Sequence, residues 1–297
     1  MATYNRAHFI EETLLSIQKK TFENFECIII DDGGSDNTED VITFFLDDKR
    51  FSFHKRPNTY IKGLPGCRNF GLDLASGNLI VFFDDDDIVH PRNLEHCAHE
   101  LENMEFDFCR YNRDVFQGTF KYDFDELESY NRFTIGANDL LKILNNQLPF
   151  NSCAVMWRVN CFKNNRFVEK LMYAEEWELY SRIISQGYKG VSIAKTLFYG
   201  RKHEQSNTGE FYNGNPIRMA SKVEAIVLVV SNLNKRSLLS AKIQKYFTWE
   251  AVRLKAPEIY KHLLKQSSPS FSQKAKAVIL YRVSPLIKIY LKSKKNS

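Results

Sequence analysis

The stretch Leu79-Ile80-Val81-Phe82-Phe83-Asp84-Asp85-Asp86-Asp87 joins five apolar residues to four consecutive aspartates. A short apolar run bounded by polar residues is typical of a buried strand, so the sequence predicts a strand that brings carboxylates to one edge of a sheet. Like charges this close repel one another, and a divalent cation that prefers oxygen ligands would compensate them. The stretch therefore predicts a cation site and chemistry on a charged substrate.

Strand-like runs alternate with helical patterns through the first half of the chain. A second apolar run, residues 27–30, ends in Asp31-Asp32-Gly33-Gly34. This alternation predicts an α/β fold with a mostly parallel sheet flanked by helices. Because ligands of such sheets bind beyond the carboxyl ends of the strands, we expect the two acidic strand ends to share a cleft. The alternative is that both are solvated turns, where aspartate is common.

Composition bounds the class of protein. The chain has 297 residues, of which 43% are hydrophobic and 26% charged, so it can bury a core without disulfides. Its six cysteines include no C-x-x-C pair, which argues against structural zinc and favours reduced thiols in the cytoplasm. No apolar run reaches the roughly 18 residues that a spanning helix needs.

The net charge of +5 is unevenly distributed. Residues 214–297 hold 17 lysines and arginines against 3 acidic residues, or +14, and residues 1–213 carry −9. We therefore predict a catalytic domain over 1–213 and a basic helical C-terminal extension over 214–297. Within that extension, residues 270–297 mix apolar residues with lysines, which suggests an interfacial helix on an anionic membrane surface at the inner face of the cell membrane. The alternative is a helix packed on the catalytic body. A nucleic-acid partner is not predicted, because no reader motif occurs.

Four segments, taken in order, resemble the family 2 glycosyltransferases of the GT-A fold over residues 3–206. Residues 3–7 (TYNRA) are similar to the family's P-T-Y-N-R-A segment, and residues 28–38 (IIIDDGGSDNT) resemble its V-D-D-G-S-x-D-x-T turn. Residues 66–71 (GCRNFG) match A-R-N-x-G, and residues 83–87 (FDDDD) match F-x-D-x-D-D. Together these matches are specific, whereas each one alone is weak.

The resemblance implies a nucleotide-sugar donor, UDP-linked, held with Mn²⁺ or Mg²⁺. The residues that it matches to nucleotide binding are Thr3, Tyr4, Asn5, Arg6, Asp31, Asp32, Arg68, Asp84 and Asp85. Those that it matches to the metal are Asp84 and Asp86, with His203 as a further candidate from the segment similar to Y-R-x-H-x-x-S. A lone histidine beside basic residues is equally typical of a surface position that binds no ligand.

Residues 174–182 (AEEWELYSR) resemble the family's E-D-W-D-L-W-x-R segment, whose second acid is the catalytic base. The resemblance places Glu176 in that role, with inversion at the anomeric carbon, and leaves Glu175 as a competing candidate. Acidic residues in a first helical turn also stabilise the helix dipole without any catalytic role. The family's G-G-F-D-E segment is represented only by residues 166–169 (RFVE), so no acceptor contacts are carried over.

The implied function is transfer of a sugar to a hydroxyl of a glycan or lipid-linked acceptor in surface polysaccharide synthesis. The residues themselves leave two alternative functions open. A magnesium-dependent phosphatase or nucleotidyltransferase would also use clustered carboxylates, since Asp85-x-Asp87 fits a phosphatase D-x-D and Glu175-Glu176 a later acidic pair. A non-catalytic nucleotide-sugar-binding module is the other.

The resemblance also raises a question about the start of the chain. The family's first strand precedes its P-T-Y-N segment and is central in the sheet, whereas only Met1 and Ala2 precede Thr3 here. A missing central strand would leave backbone groups of its neighbours unpaired. Our hypothesis is that the sequence is a truncated reading of a longer protein.

Overall fold

A computed structural model describes residues 1–124, 126, 129–203 and 207–266. The chain divides into two compact units, Met1–Ser221 and Lys222–Ser297. The domain boundary predicted after residue 213 stays a prediction.

The first unit opens with a three-stranded parallel sheet of order β1-β2-β3. Its strands and connecting helices are β1 (Ala2–Thr3), α1 (Ile10–Gln18), β2 (Cys27–Asp31), α2 (Thr38–Thr43) and β3 (Phe51–Lys55). Helix α1 has apolar residues at helical spacing, and Ile10, Leu14 and Ile17 are buried in the core.

A second sheet of six strands has the order β4-β8-β6-β9-β5, and β7 also pairs with β9. The elements are α3 (Leu64–Leu74), β4 (Leu79–Val81), β5 (Ile88–Val89), α4 (Asn93–Glu100), β6 (Phe108–Phe116), β7 (Arg132–Ile135), α5 (Leu140–Leu144), β8 (Val155–Arg158), α6 (Glu175–Ser185) and β9 (Gly190–Arg201). Strands β6 and β9 are parallel, and the other pairs are antiparallel.

The predicted α/β class is confirmed, but the expectation of a mostly parallel sheet is correct only for the first sheet. A parallel neighbour requires a crossover of about a dozen residues. Only the turn 82–87 separates β4 from β5, so β5 pairs instead with β9, in the antiparallel direction. This reversal places the four aspartates in the turn itself.

The remaining helices are α7 (Asn207–Tyr212), α8 (Pro216–Lys235), α9 (Ala241–Arg253) and α10 (Pro257–Gln266). Within the second unit, α9 packs on α10, and the Ser231 hydroxyl lies 2.7 Å from His262 Nε2. No helix among the described residues is long and apolar enough to cross a membrane. The predicted interfacial helix over 270–297 lies outside the described residues, so the membrane contact stays a prediction.

The N-terminal residues form only a short strand, and the expectation that the family's first strand is missing stays a prediction. Ala2 and Thr3 pair with β2, and the Met1 ammonium donates to the Ile28 carbonyl (2.8 Å). The strand is only two residues long, and β4 is an edge strand among the described residues. A cavity of about 460 Å³ lies beside β2 and β4, with Ile80 among its lining residues.

The hypothesis of a longer chain stays a prediction, and this cavity gives it a test. A form extended upstream by about six residues, the length of an ordinary strand, should unfold at a higher temperature than residues 1–297. The reason is that an extended segment there would fill apolar space and pair with the free edge of β4. Equal unfolding temperatures for the two forms in a thermal melt would count against the hypothesis.

Helix α3 starts where the chain passes very close to itself. A Cβ added to Gly66 would lie 2.0 Å from the Ile61 carbonyl oxygen, whereas one added to Gly71 in the same helix would have its nearest neighbour at 3.7 Å. We expect Gly66→Ala to lower the free energy of unfolding by about 1–3 kcal/mol. Gly71→Ala should leave it unchanged or raise it by up to about 1 kcal/mol. Urea unfolding of both variants tests this, and equal midpoints would contradict it.

Candidate active site

The carboxyl ends of β1, β2 and β4 and the N-terminal ends of α3 and α6 surround one cleft of about 960 Å³. Its lining includes the acidic strand ends at Asp32 and at residues 84–87, together with Arg68 from α3 and Glu176 from α6. Strand ends more than 50 residues apart in sequence therefore meet at one hollow, as the positions of the aspartates predicted.

The two aspartates at the end of β2 have different roles. Asp31 accepts hydrogen bonds from the backbone N–H groups of Gly33 (3.1 Å) and Gly34 (3.0 Å) and does not line the cleft. Asp32 does line it, and its Oδ1 accepts from Arg56 Nε (2.5 Å). Asp31 therefore stabilises the turn, and its expected contact with the nucleotide stays a prediction.

The N-terminal segment supplies one wall of the cleft, which includes all four of its predicted residues. Asn5 has a left-handed backbone (φ 53°), and its side-chain oxygen accepts from the Ser35 backbone N–H (2.7 Å), which ties the segment to the turn after β2. Arg6 Nε lies 3.4 Å from Asp85 Oδ1. Thr3 is buried, whereas Tyr4 is exposed with the Lys62 ammonium 4.5 Å from its ring centroid.

Arg68 links the aspartate turn to helix α6. Its guanidinium is buried, with Nη2 donating to Asp84 Oδ1 (2.9 Å) and Nη1 lying 3.5 Å from Glu175 Oε1. Burial alone would lower the pKa of Arg68, but the two carboxylates outweigh it and raise the pKa. The guanidinium is therefore a fixed positive charge on the cleft wall.

The aspartates carry more negative charge than their neighbours balance. Burial, reinforced by Asp86, raises the pKa of Asp85 to about 7. Burial and Asp84 raise the pKa of Asp86, although its Oδ2 lies 2.7 Å from His203 Nε2. Burial and the adjacent aspartates also raise the pKa of Asp87. A divalent cation would relieve this repulsion.

The carboxylate oxygens in this turn fit Mg²⁺ or Mn²⁺, which prefer oxygen ligands. The structure brings the predicted Asp86 and His203 together, and it also places Asp84, Asp87 and Cys153 with ligand atoms within 4.8 Å of one another. The predicted pair of metal ligands, Asp84 and Asp86, stays a prediction. Cys153 is a buried thiol, and burial raises its pKa well above the ordinary value, which disfavours the thiolate that a metal would need.

The two glutamates at the start of α6 differ in their surroundings. Ala174 has a left-handed backbone (φ 64°) just before the helix. Glu175 is buried next to Arg68, and burial followed by the charge of Glu176 raises its pKa. Both glutamates line the cleft, but Glu176 is only half-buried. This geometry favours Glu176 as the group that meets an incoming acceptor.

Two arginines that organise the site were not predicted. Arg56 follows β3 and holds Asp32. Arg201, at the end of β9, donates from Nε to the Asp86 carbonyl (2.8 Å) and from its backbone N–H to Asp87 Oδ1 (2.7 Å), and its guanidinium also pairs with Glu12. The sequence does place a basic residue at the end of each of these two strand-like runs, and that position could have indicated both arginines.

The comparison with protein families agrees with this geometry. The model of the family described as glycosyl transferase family 2 matches residues 1–164. The chain belongs to glycosyltransferase family 2. An uncharacterized glycosyltransferase of Rickettsia bellii is 30% identical over 216 residues, which cover 71% of this chain and 29% of the relative. The UDP-Glc:alpha-D-GlcNAc-diphosphoundecaprenol beta-1,3-glucosyltransferase WfgD of Escherichia coli is 39% identical over 95 residues, 32% of this chain and 36% of the relative.

Two solved structures share the GT-A fold of this chain. Staphylococcus aureus TarS 1-349 in complex with UDP-GlcNAc has a TM-score of 0.62 at 17% identity, covering 95% of this chain and 88% of that one. The mannosyltransferase PcManGT of Pyrobaculum calidifontis in complex with GDP-Man and Mn²⁺ has a TM-score of 0.58 at 14% identity, covering 99% and 80%. The chain spans only 29% to 33% of the length of three Rickettsia relatives that it matches.

Proposed function

We propose that this chain transfers a sugar from a UDP-sugar to a hydroxyl of a lipid-linked glycan acceptor, with inversion and with Mg²⁺ or Mn²⁺. The observation that carries the proposal is that Asp32, Arg68, Asp86 and Glu176 line one cleft. A base-binding carboxylate, a fixed cation, a candidate metal ligand and a candidate base are the groups that this reaction requires.

The donor side of the proposal rests on the strand ends. The Asp32 carboxylate can accept the ring N–H of a uracil base, and Arg56 holds it in position. Arg68 supplies positive charge for a diphosphate. TarS is crystallised with UDP-GlcNAc and WfgD is named for UDP-Glc, which supports a UDP-sugar here.

The acceptor side rests on α6. Glu176 removes the proton of the attacking hydroxyl while the oxygen bonds to the anomeric carbon and the bond from that carbon to the diphosphate breaks. Glu175 stays paired with Arg68 and holds it next to Asp84. A bound divalent cation, held by Asp84 and Asp86, would neutralise the negative charge that develops on the leaving diphosphate. Proximity and charge, without a covalent intermediate, account for the transfer.

A product assay tests the proposal. The protein is incubated with Mn²⁺, a panel of UDP-sugars and a short-chain alkyl-diphospho-sugar acceptor, and the products are separated by mass. We expect release of UDP in equal amount to a new glycoside. Release of inorganic phosphate, or formation of pyrophosphate, without a glycoside would indicate a phosphatase or nucleotidyltransferase. UDP-sugar binding without turnover would indicate a non-catalytic binding module.

The pairing of Arg56 with Asp32 gives a prediction for donor binding. Arg56→Gln removes the guanidinium that orients Asp32 and leaves a partly buried carboxylate unpaired, so the Kd for UDP should rise about tenfold. Arg50→Gln is the matched control, because Arg50 pairs with Asp48 (2.6 Å) outside the cleft. Calorimetric titration with UDP compares them, and equal Kd values for the two variants would contradict the assignment.

A further inference from the structure

Two cations at the rim of the cleft take no part in the mechanism above. Arg113 lies in β6 and Lys202 directly follows β9, and both side chains are exposed although both line the cleft. Among the described residues, neither side chain has a hydrogen-bond or ion-pair partner. Their charge is therefore available to a ligand.

The pairing of β6 with β9 places the two cations on one surface. The strands are parallel, with Arg113 opposite Phe198 and Val115 opposite Gly200. Because alternate residues of a strand point to the same side, these four residues and Lys202 share a face, and all five line the cleft. Val115 and Gly200 are small, so they form a shallow floor between the two cations, which are about 13 Å apart along the strands.

This floor adjoins the aspartate turn. A Cβ added to Gly200 would lie 3.8 Å from Asp87 Oδ1, and the next residue, Arg201, donates its backbone N–H to the same carboxylate. A ligand held over the floor is therefore next to the candidate reaction centre.

We propose that Arg113 and Lys202 bind the diphosphate of the acceptor, a sugar joined through a diphosphate to a lipid. A guanidinium and an ammonium both recognise phosphate oxygens. In the proposed function, Arg68 and the cation site neutralise the charge of the donor diphosphate. When the acceptor hydroxyl contacts Glu176, the acceptor diphosphate needs positive side chains elsewhere in the cleft. Arg113 and Lys202, on either side of the floor, provide them.

This inference rests on the proposed function and extends it to the substrate class. It agrees with two relatives whose names contain a diphosphate-linked lipid, WfgD of Escherichia coli and the GalNAc(5)-diNAcBac-PP-undecaprenol beta-1,3-glucosyltransferase of Campylobacter jejuni. The structure indicates the residues of this chain that would bind that diphosphate, Arg113 and Lys202.

The kinetic test compares two acceptors that carry the same sugar, one as an alkyl diphosphate and one as a neutral alkyl glycoside. Arg113→Gln and Lys202→Gln should each raise the KM for the diphosphate acceptor about tenfold and leave kcat, the KM for the donor and the KM for the neutral acceptor unchanged. Lys163→Gln, an exposed lysine outside the cleft, is the control for loss of one positive charge. A raised donor KM, or an equal change for both acceptors, would overturn the proposal.

A binding measurement separates this inference from the proposed function. The alkyl-diphospho-sugar is titrated into the full chain in EDTA, without donor or divalent cation. Binding that is lost in the double variant Arg113→Gln/Lys202→Gln and kept in Lys163→Gln supports the site even if no transfer is detected. Equal binding by the double variant and the unchanged chain would refute the site while leaving the proposed transfer intact. Circular dichroism of each variant verifies that it is folded.

Discussion

Asp86→Asn should reduce Mn²⁺-dependent sugar transfer at least about a thousandfold, because it removes the carboxylate that we assign to the cation. That cation would supply several kcal/mol of stabilisation to the departing diphosphate, and about 4 kcal/mol corresponds to a thousandfold in rate. Asparagine keeps the size of the side chain and can still hydrogen-bond to His203, which lies 2.7 Å from Asp86. The loss should therefore reflect charge more than packing.

The measurement is kcat/KM as a function of Mn²⁺ concentration. Asp40→Asn is the matched control, since Asp40 is an exposed carboxylate on α2 outside the cleft. The control should keep the activity and the Mn²⁺ dependence of the unchanged chain. Full activity of Asp86→Asn at any Mn²⁺ concentration would remove Asp86 from the cation site.

Glu176→Gln should lower kcat by about 10²–10⁴-fold, the range expected for loss of a general base. The Kd for UDP should stay the same, because Glu176 is assigned to the acceptor hydroxyl and not to the nucleotide. A loss in kcat with donor binding intact would separate chemistry from binding.

Glu175→Gln provides the comparison that decides between the two glutamates. Glu175 is buried against Arg68, so its substitution should disturb Arg68 and weaken UDP binding. If Glu175→Gln lost kcat with UDP binding unchanged, while Glu176→Gln remained active, the roles assigned to the two residues would be reversed.

The sequence was sufficient to predict that the aspartates lie at strand ends. It was insufficient to predict which of their side chains line the cleft. The apolar run before Asp84 predicted a strand end, and the structure has β4 ending at Val81. The resemblance to the family treated residues 31 and 32 as a pair. Asp31 is the last residue of β2 and its carboxylate accepts from the backbone N–H groups of Gly33 and Gly34, whereas Asp32 follows the strand and lines the cleft.

Other features depend on contacts between distant residues, which periodicity does not report. Arg56 is 24 residues from Asp32 and Arg201 is 115 residues from Asp86, so neither pairing leaves a local pattern. The difference between Glu175 and Glu176 depends on the contact of Glu175 with Arg68, which is 107 residues away in sequence. The mixed second sheet likewise follows from the tight turn that contains the aspartates.

We propose that the clustered carboxylates and Arg68 hold a nucleotide diphosphate together with a divalent cation in one cleft. Calorimetric titration of UDP into the protein, with Mn²⁺ and then with EDTA, measures whether the nucleotide needs that cation. We predict that UDP binds in Mn²⁺ and that binding is lost both in EDTA and in Asp86→Asn. UDP binding of equal strength under all three conditions would contradict the account.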